Sequence, residues 1–207
     1  AWLENRGGIF TLHAAIDDAT GIVTGATFTL NECARGYCTV MRQGIEKYGI
    51  PLGLYSDRHT IFRSPCEKQS VEEELNGERI ALSNFGKAME ELNIQHIKAR
   101  TPQAKGRIER LWNTLQDRMV VELRILGIMD MEGANRVLAE LISNHNERFS
   151  LLPQEENSAY IPLSKDISLE HVFTMRETRR IGGGNTIAYK NNTYHPVNAN
   201  KYLFDSK

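Results

Sequence analysis

A chain of 207 residues has room for one domain of ordinary size and a small second one. Its 41% hydrophobic and 25% charged residues are the balance of a globular protein with a real core. No apolar run approaches the ~18 residues of a membrane span and nothing reads as a signal peptide, so membrane and secreted classes are excluded as first readings. Cys33, Cys38 and Cys66 form an odd set without a close ligand pair, which argues against a disulfide framework or a zinc site and makes a reducing cytoplasm the expected home. The formal net charge of −1 hides segregation: residues 98–118 carry a net +4 and residues 67–79 a net −3. Opposite charge on separate segments is compatible with one surface that faces a polyanion.

Ile9 to Ile16 is nearly continuous apolar sequence, as in a strand buried on both faces. Asp17-Asp-Ala-Thr-Gly21 predicts a turn, and the alternation from Ile22 to Leu30 predicts a second strand closing a hairpin. Gly7-Gly8 reads as another tight turn, implying an earlier strand that ends near Glu4 and lies mostly before Ala1. Since Ala1 stands where an initiator Met would, an excised or processed fragment is expected. Tyr37, Val40, Met41, Ile45 and Tyr48 fall on one helical face stopped by Gly49. Pro51 to Ser56 predicts a short strand that delivers Asp57 at its end.

Residues 60–82 lack a clean period and read as an insertion. Phe85, Ala88, Met89 and Leu92 predict a helix capped by Ser83, followed by a short strand at Ile94–Ile97. Thr101 to Gly106 reads as a polar loop. A long helix then follows, with Ile108, Leu111, Trp112, Leu115, Met119, Leu123 and Leu126 as its buried stripe. Ala134, Val137, Leu138, Leu141, Ile142 and His145 mark one more helix, with His145 as a core residue. Residues 151–166 read as a Pro- and Glu-punctuated linker. From 167 to 207, turns at Gly182–Asn185 and Asn191–Asn192 between short alternating runs predict the start of a small antiparallel barrel that is cut off before it closes. The expected fold class is therefore α/β: a mixed sheet flanked by helices over 1–150, its first strand missing or incomplete, followed by a truncated β-barrel.

Two carboxylates stand out by position. Asp57 follows a buried strand, and Glu109 sits on the polar face of its helix, with Lys105 four residues before it and Asn113 four after. Either acid alone is what a turn or the first turn of a helix carries for local reasons. Together, at the exits of two elements of one sheet, they can supply the oxygen ligands that hard divalent cations require.

The stretches Ala15-Ile-Asp-Asp-Ala-Thr-Gly21, Tyr55-Ser-Asp-Arg-His59, Asn84-Phe-Gly86 and above all Thr101-Pro-Gln-Ala-Lys-Gly-Arg-Ile-Glu-Arg110 carry a resemblance to the integrase-core family. That family includes retroviral integrases and the transposases of many bacterial insertion sequences, and the match covers about residues 1–150. The resemblance implies an RNase H-like fold with an Asp, Asp, Glu triad binding two Mg²⁺ or Mn²⁺ ions. Asp57 matches its second member and Glu109 its third. The first falls a few residues before Ala1, which leads us to expect that this fragment alone is inactive, while Asp17 and Asp18 match a turn position of the family. The 51 residues between Asp57 and Glu109 exceed the spacing in retroviral integrases, and the insertion accounts for the excess.

The activity implied is metal-dependent cleavage and transfer of DNA strands, with transposon ends and target DNA as partners and a homo-multimer assembled on them. Arg58, Lys105, Arg107 and Arg110 flank the carboxylates and are the expected phosphate contacts. Two alternatives stay open at this point. One is a DNA-binding or assembly module that has lost catalysis, and the other is a plain RNase H-like nuclease.

Overall fold

In the computed structural model, which describes residues 1–56, 82–98, 102–155, 157–177, 179–182 and 184–195, the first regular elements are the expected hairpin. Strand β1 (Thr11–Ile16) pairs antiparallel with β2 (Val23–Thr29). Asp17 closes the turn, its Oδ2 accepting from the Thr20 amide at 2.9 Å and from the Thr20 hydroxyl at 2.5 Å. The register shifts between Ala15 and Ile16, so that Ala15 faces Gly25 but Ile16 faces Val23. This bulge reverses which backbone groups of β2 point away from β1. Of the strand expected to end near Glu4 and to lie mostly before Ala1, the residues in this chain are not extended. Residues 2–7 run through turns and bends, with Glu4 and Asn5 at positive φ, a conformation incompatible with a ladder. Leu3 is nonetheless buried, and Trp2 packs edge-on against Phe28 with ring centroids 5.6 Å apart.

Helix α1 (Ala34–Tyr48) buries Val40, Met41 and Ile45 as its spacing predicts, and ends where Gly49, at φ 99°, bonds back to the Ile45 carbonyl. The strand expected at 51–56 is two. β3 (Ile50–Pro51) pairs antiparallel with β6 (Tyr160–Ile161), whereas β4 (Gly53–Ser56) runs parallel to β5 (Gln95–Lys98). Leu52 makes the changeover, its amide donating to Ala159 and its carbonyl accepting from Gln95. Between them, α2 (Asn84–Glu91) starts at Ser83, whose hydroxyl accepts from the Gly86 amide at 3.0 Å. Among the described residues the strands pair two by two, the last pair being β7 (Ile187–Tyr189) with β8 (Asn192–Tyr194).

The long helix α3 (Pro102–Ile125) begins earlier than its sequence suggests, taking in most of the segment expected to be a loop. Pro102 loses no hydrogen bond at the first helical position, Gln103, Ala104 and Lys105 favour helix, and Gly106 costs only about 1 kcal/mol. Its buried stripe of Leu111, Leu115, Met119 and Leu123 holds as expected, but Leu126 lies past the helix end in the turn to Gly127 and is half exposed. Helix α4 (Met131–Phe149) starts at Asp130, whose Oδ1 accepts from the Gly133 amide at 2.6 Å.

Two apolar clusters result. The face of the hairpin bearing Leu12, Val23 and Phe28 packs with Leu3 against α3 and α4. The second cluster joins Met41 and Ile45 of α1 to Phe85 and Met89 of α2, Ile50 and Ile94, and also Leu169 and Val172 of the short helix α5 (Leu169–Val172). Leu163, Ile167, Leu169, Val172 and Phe173, from the stretch expected as a linker and the start of a second domain, therefore pack in the first compact unit, which spans Ala1–Thr174. The second unit, from Met175 on, contains the β7–β8 hairpin. Its two-residue turn, Lys190-Asn191, has both residues at positive φ, as a type I′ turn requires. Residues 196–207, which the sequence assigns to the same barrel, lie outside the described residues.

The open edge of β2 is closed by side chains rather than by a strand. Asn135 of α4 accepts from the Phe28 amide at 2.8 Å and donates to its carbonyl at 3.0 Å. Asn146 does the same for Val23, at 2.8 and 3.0 Å. Midway, Gln43 of α1 accepts from the Ala26 amide at 2.8 Å. The two asparagines are three helical turns apart, about 16 Å, and Val23 and Phe28 are separated by a similar length of extended chain.

The other face of the hairpin holds the most buried polar side chain among the described residues, His13, at 3% exposure. Its Nε2 accepts from the Cys33 amide at 3.3 Å, which leaves Nδ1 to donate to Thr29 Oγ1 at 3.3 Å. Thr29 in turn donates to the Asn31 carbonyl at 2.7 Å. The ring meets Tyr37 edge-on, and Gly36 lets it approach, since a Cβ there would lie 2.7 Å from the imidazole. Burial lowers the His13 pKa and outweighs the opposing pull of Glu32. The unfolded chain therefore binds a proton more readily than the folded one. Stability from this site should be complete above about pH 6.5 and fall as pH drops from there towards the folded pKa. Urea midpoints at pH 7.5 and 5.5 should differ, and the difference should shrink in His13→Gln; an unchanged difference would assign the pH dependence elsewhere. Cys33 and Cys38 are free thiols, and burial, assisted by Cys33, pushes the Cys38 thiol up to about 11. Cys66 lies outside the described residues.

Candidate active site

Parallel pairing brings the carboxyl ends of β4 and β5 level, with Ser56 opposite Lys98. Loops leaving such ends commonly carry ligands and reactive groups, because the backbone there turns out of the sheet and frees side chains from packing. Ser56 is the last described residue before Asp57. Its hydroxyl lies 3.1 Å from Nε2 of His96, so the two strand ends are joined by a side-chain bond as well as by the ladder. Asp57 and Arg58 themselves lie outside the described residues, as does His59.

From Lys98 the chain enters α3 at Pro102, after only residues 99–101. Glu109 is then in the second turn, about 10 Å along the axis. Leu111 and Leu115 anchor this part of the helix in the core, and their spacing turns Glu109 to the opposite, exposed side. Among the described residues its carboxylate has no hydrogen-bond or ion-pair partner, which leaves both oxygens available to a ligand. Arg110 is also exposed, with its Nε donating to the Gly106 carbonyl at 3.1 Å. Lys105 and Arg107 are in the first two turns of α3, and their side chains lie outside the described set.

Asp17 is committed elsewhere. Besides holding the hairpin turn through Oδ2, it accepts at Oδ1 from the hydroxyl of Tyr160, at 3.3 Å. Burial, together with Asp17, raises the pKa of that hydroxyl well above its usual value. The bond ties residues 159–161 to the hairpin and occupies the carboxylate as a structural anchor. His145, expected in the core, is half-buried on α4 with its ring tilted against Phe149.

Among the described residues no group of three or more His, Cys, Asp or Glu is arranged to hold a metal ion. The exposed carboxylate of Glu109 fits a hard divalent cation as a single oxygen donor, the kind of ligand Mg²⁺ combines with water and phosphate oxygens. Sequence reading missed His96. A lone polar residue in the short strand Gln95–Lys98 carries no spacing signal, and only the parallel register sets it beside Ser56.

No helix of the described residues is long and apolar enough to cross a membrane. No family profile matches the chain, and no solved structure matches it. Over 91% of its length the chain is 33% identical to a Sinorhizobium fredii protein named "Putative transposase y4bF". Over 93% it is 32% identical to the transposase for insertion sequence IS1202 of Streptococcus pneumoniae. It spans about 40% of the length of each, and so corresponds to part of two proteins that are named as transposases.

Proposed function

We propose that this chain carries most of the catalytic core of a transposase of the integrase type, RNase H-like in fold, which cleaves and joins DNA strands with divalent metal. The observation that carries the reading is the placement of Glu109. It is exposed, and unpartnered among the described residues, on a helix that starts just beyond a parallel strand, and the neighbouring strand, level with that one, leads directly into Asp57. The transposase names of both relatives support the same class.

In this reading Asp57 and Glu109 are two of the carboxylates that hold Mg²⁺ or Mn²⁺. The ions, when bound, supply Lewis-acid activation of the phosphodiester and of the attacking oxygen. The protein's own part is to set those carboxylates at one sheet edge and to fix the DNA. Arg58, Lys105, Arg107 and Arg110 are assigned to phosphate oxygens, which set the strand's register without reading its sequence. In cleavage a water oxygen attacks phosphorus and the bridging P–O bond to the 3′ oxygen breaks. In joining, the freed 3′-hydroxyl attacks a target phosphodiester, and the target's own P–O bond to its 3′ oxygen breaks, so that the target 3′-hydroxyl is the leaving group. The complete protein is expected to act as a homo-multimer on paired transposon ends.

The test is a product assay of the complete protein with element-end DNA and Mn²⁺. Joined products are the expected result. Nicked DNA without joining would instead make it a nuclease, and binding with no cleavage would make it an assembly module.

A further inference from the structure

Strands β4 and β5 form a parallel ladder of four residue pairs, and among the described residues β4 pairs with no other strand. Parallel pairing is slightly weaker per residue than antiparallel, and so short a two-stranded ladder frays at its ends. Ser56, in the last pair, is the residue that Asp57 follows, and a metal ligand has to be held to within about 0.5 Å of its working position. Side chains grip this ladder at both ends, one on each face. At the first pair Ile97 leans over Gly53, where an added Cβ would meet its Cδ1 at 3.0 Å. At the last pair the grip comes from His96.

The register explains how His96 reaches that position. It pairs with Leu54, and paired residues of a parallel ladder project to the same face. Ser56, two residues beyond Leu54, projects to that face as well. Strand side chains lean along the strand, so the imidazole spans the step from the level of Leu54 to that of Ser56. Its Nε2 ends 3.1 Å from Ser56 Oγ, and both residues are partly buried. Leu54 packs against the cluster that joins α1 and α2, so the bond lies on the side of the ladder that the core supports. A hydroxyl both donates and accepts, so either tautomer of a neutral imidazole makes this bond. An apolar residue at position 96 would pack on the same face but leave Ser56 held by the ladder alone.

From this juxtaposition we infer that His96 is a positioning residue of the candidate active site: by bonding Ser56 across the ladder, it fixes the strand end that carries Asp57. The role needs no contact with metal or DNA. The inference rests on the metal-dependent reading above and adds to it a residue that the carboxylates alone do not reveal. Removing an outer hydrogen-bond partner of a metal site typically costs about 10–100-fold in affinity for the ion. His96 acts through one intervening residue, which sets the expectation at the lower end of that range.

The experiment is a Mn²⁺ titration of the complete protein on element-end DNA, with DNA alone as the blank. The electron paramagnetic resonance signal of the free ion is the readout. His96→Ala and Ser56→Ala should each weaken Mn²⁺ binding by about tenfold. The double variant should lose no more than either single one, because both substitutions break the same bond. His96→Gln sets a side-chain amide about where Nε2 stood and should keep most of the affinity. DNA affinity measured without metal should stay at the parental value throughout. Thermal melts accompany the series, and should His96→Ala melt early, Ser56→Ala, which removes a single oxygen, carries the test. Parental Mn²⁺ affinity in Ser56→Ala, or losses that multiply to about a hundredfold in the double variant, overturns the positioning role alone. If Asp57→Asn binds Mn²⁺ as the parent does, the metal-dependent reading itself fails, and this inference with it.

Discussion

Glu109→Gln in the complete protein is expected to lower strand cleavage and joining by about a thousandfold or more, with DNA affinity unchanged or slightly higher. The substitution keeps the side chain's size and removes its charge, and with it the ability to hold a divalent cation. A metal ligand of this kind supplies several kcal/mol of transition-state stabilisation, and about 4 kcal/mol corresponds to a thousandfold in rate. Affinity moves the other way, if at all, because a carboxylate close to a phosphate repels it. Folding should be untouched. Glu109 is exposed and bonds to no other described residue, so the change in stability should stay within about 0.5 kcal/mol. Asp57→Asn is expected to behave alike. Cleavage at the parental rate in either variant, with melting temperature preserved, would remove these residues from the site.

The second large effect concerns stability. Asn135→Ala and Asn146→Ala each delete a donor and an acceptor that serve one residue of the β2 edge. A buried backbone group left without a partner costs about 1–3 kcal/mol. Because the two sites are about 16 Å apart along α4, their effects should add to within about half a kcal/mol. The double variant frees four backbone groups, and with water reaching the exposed edge to satisfy about half of them it should lose about 2–6 kcal/mol. Urea midpoints give the total, and amide exchange at Val23 and Phe28 shows where it arises. Asn146→Asp is the sharper probe, because it keeps the acceptor for the Val23 amide but sets a carboxylate oxygen against the Val23 carbonyl. If Asn146→Asp and both alanine variants each shift stability by less than about 0.5 kcal/mol, the ordinary range of a surface substitution, the asparagines do not hold the edge.

Much of the local architecture was legible in advance. The hairpin with its Asp17 turn, α1 with its stop at Gly49 and the Ser83 cap all depend on residues within a few positions of one another, where spacing and φ preference act directly. Boundaries that depend on distant partners were not. The run Pro51–Ser56 looks like one strand, yet it divides because its two halves pair with segments far apart from each other in sequence, Tyr160–Ile161 and Gln95–Lys98. Of the loop expected at 101–106, residues 102–106 are helix, because polar composition alone does not separate a loop from the first turns of a helix.

The candidate site divides in the same way. The residue types around Asp57 and Glu109, and the run Thr101–Arg110, are properties of the sequence, and the chemistry proposed for them rests on the family resemblance they carry. Where Glu109 faces also follows from sequence, because the leucines of its helix must point into the core. The pairing of Ser56 with His96 and the use of Asp17 by Tyr160 depend on tertiary structure. So does the clamp on β2, whose bonds join residues 107 and 123 positions apart. Sequence by itself determined the elements and their exposed or buried faces, since hydrophobic periodicity is a local property of the chain. Which face met which, and hence which polar side chains were spent on structure and which were left for a ligand, was decided only when burial brought remote segments together.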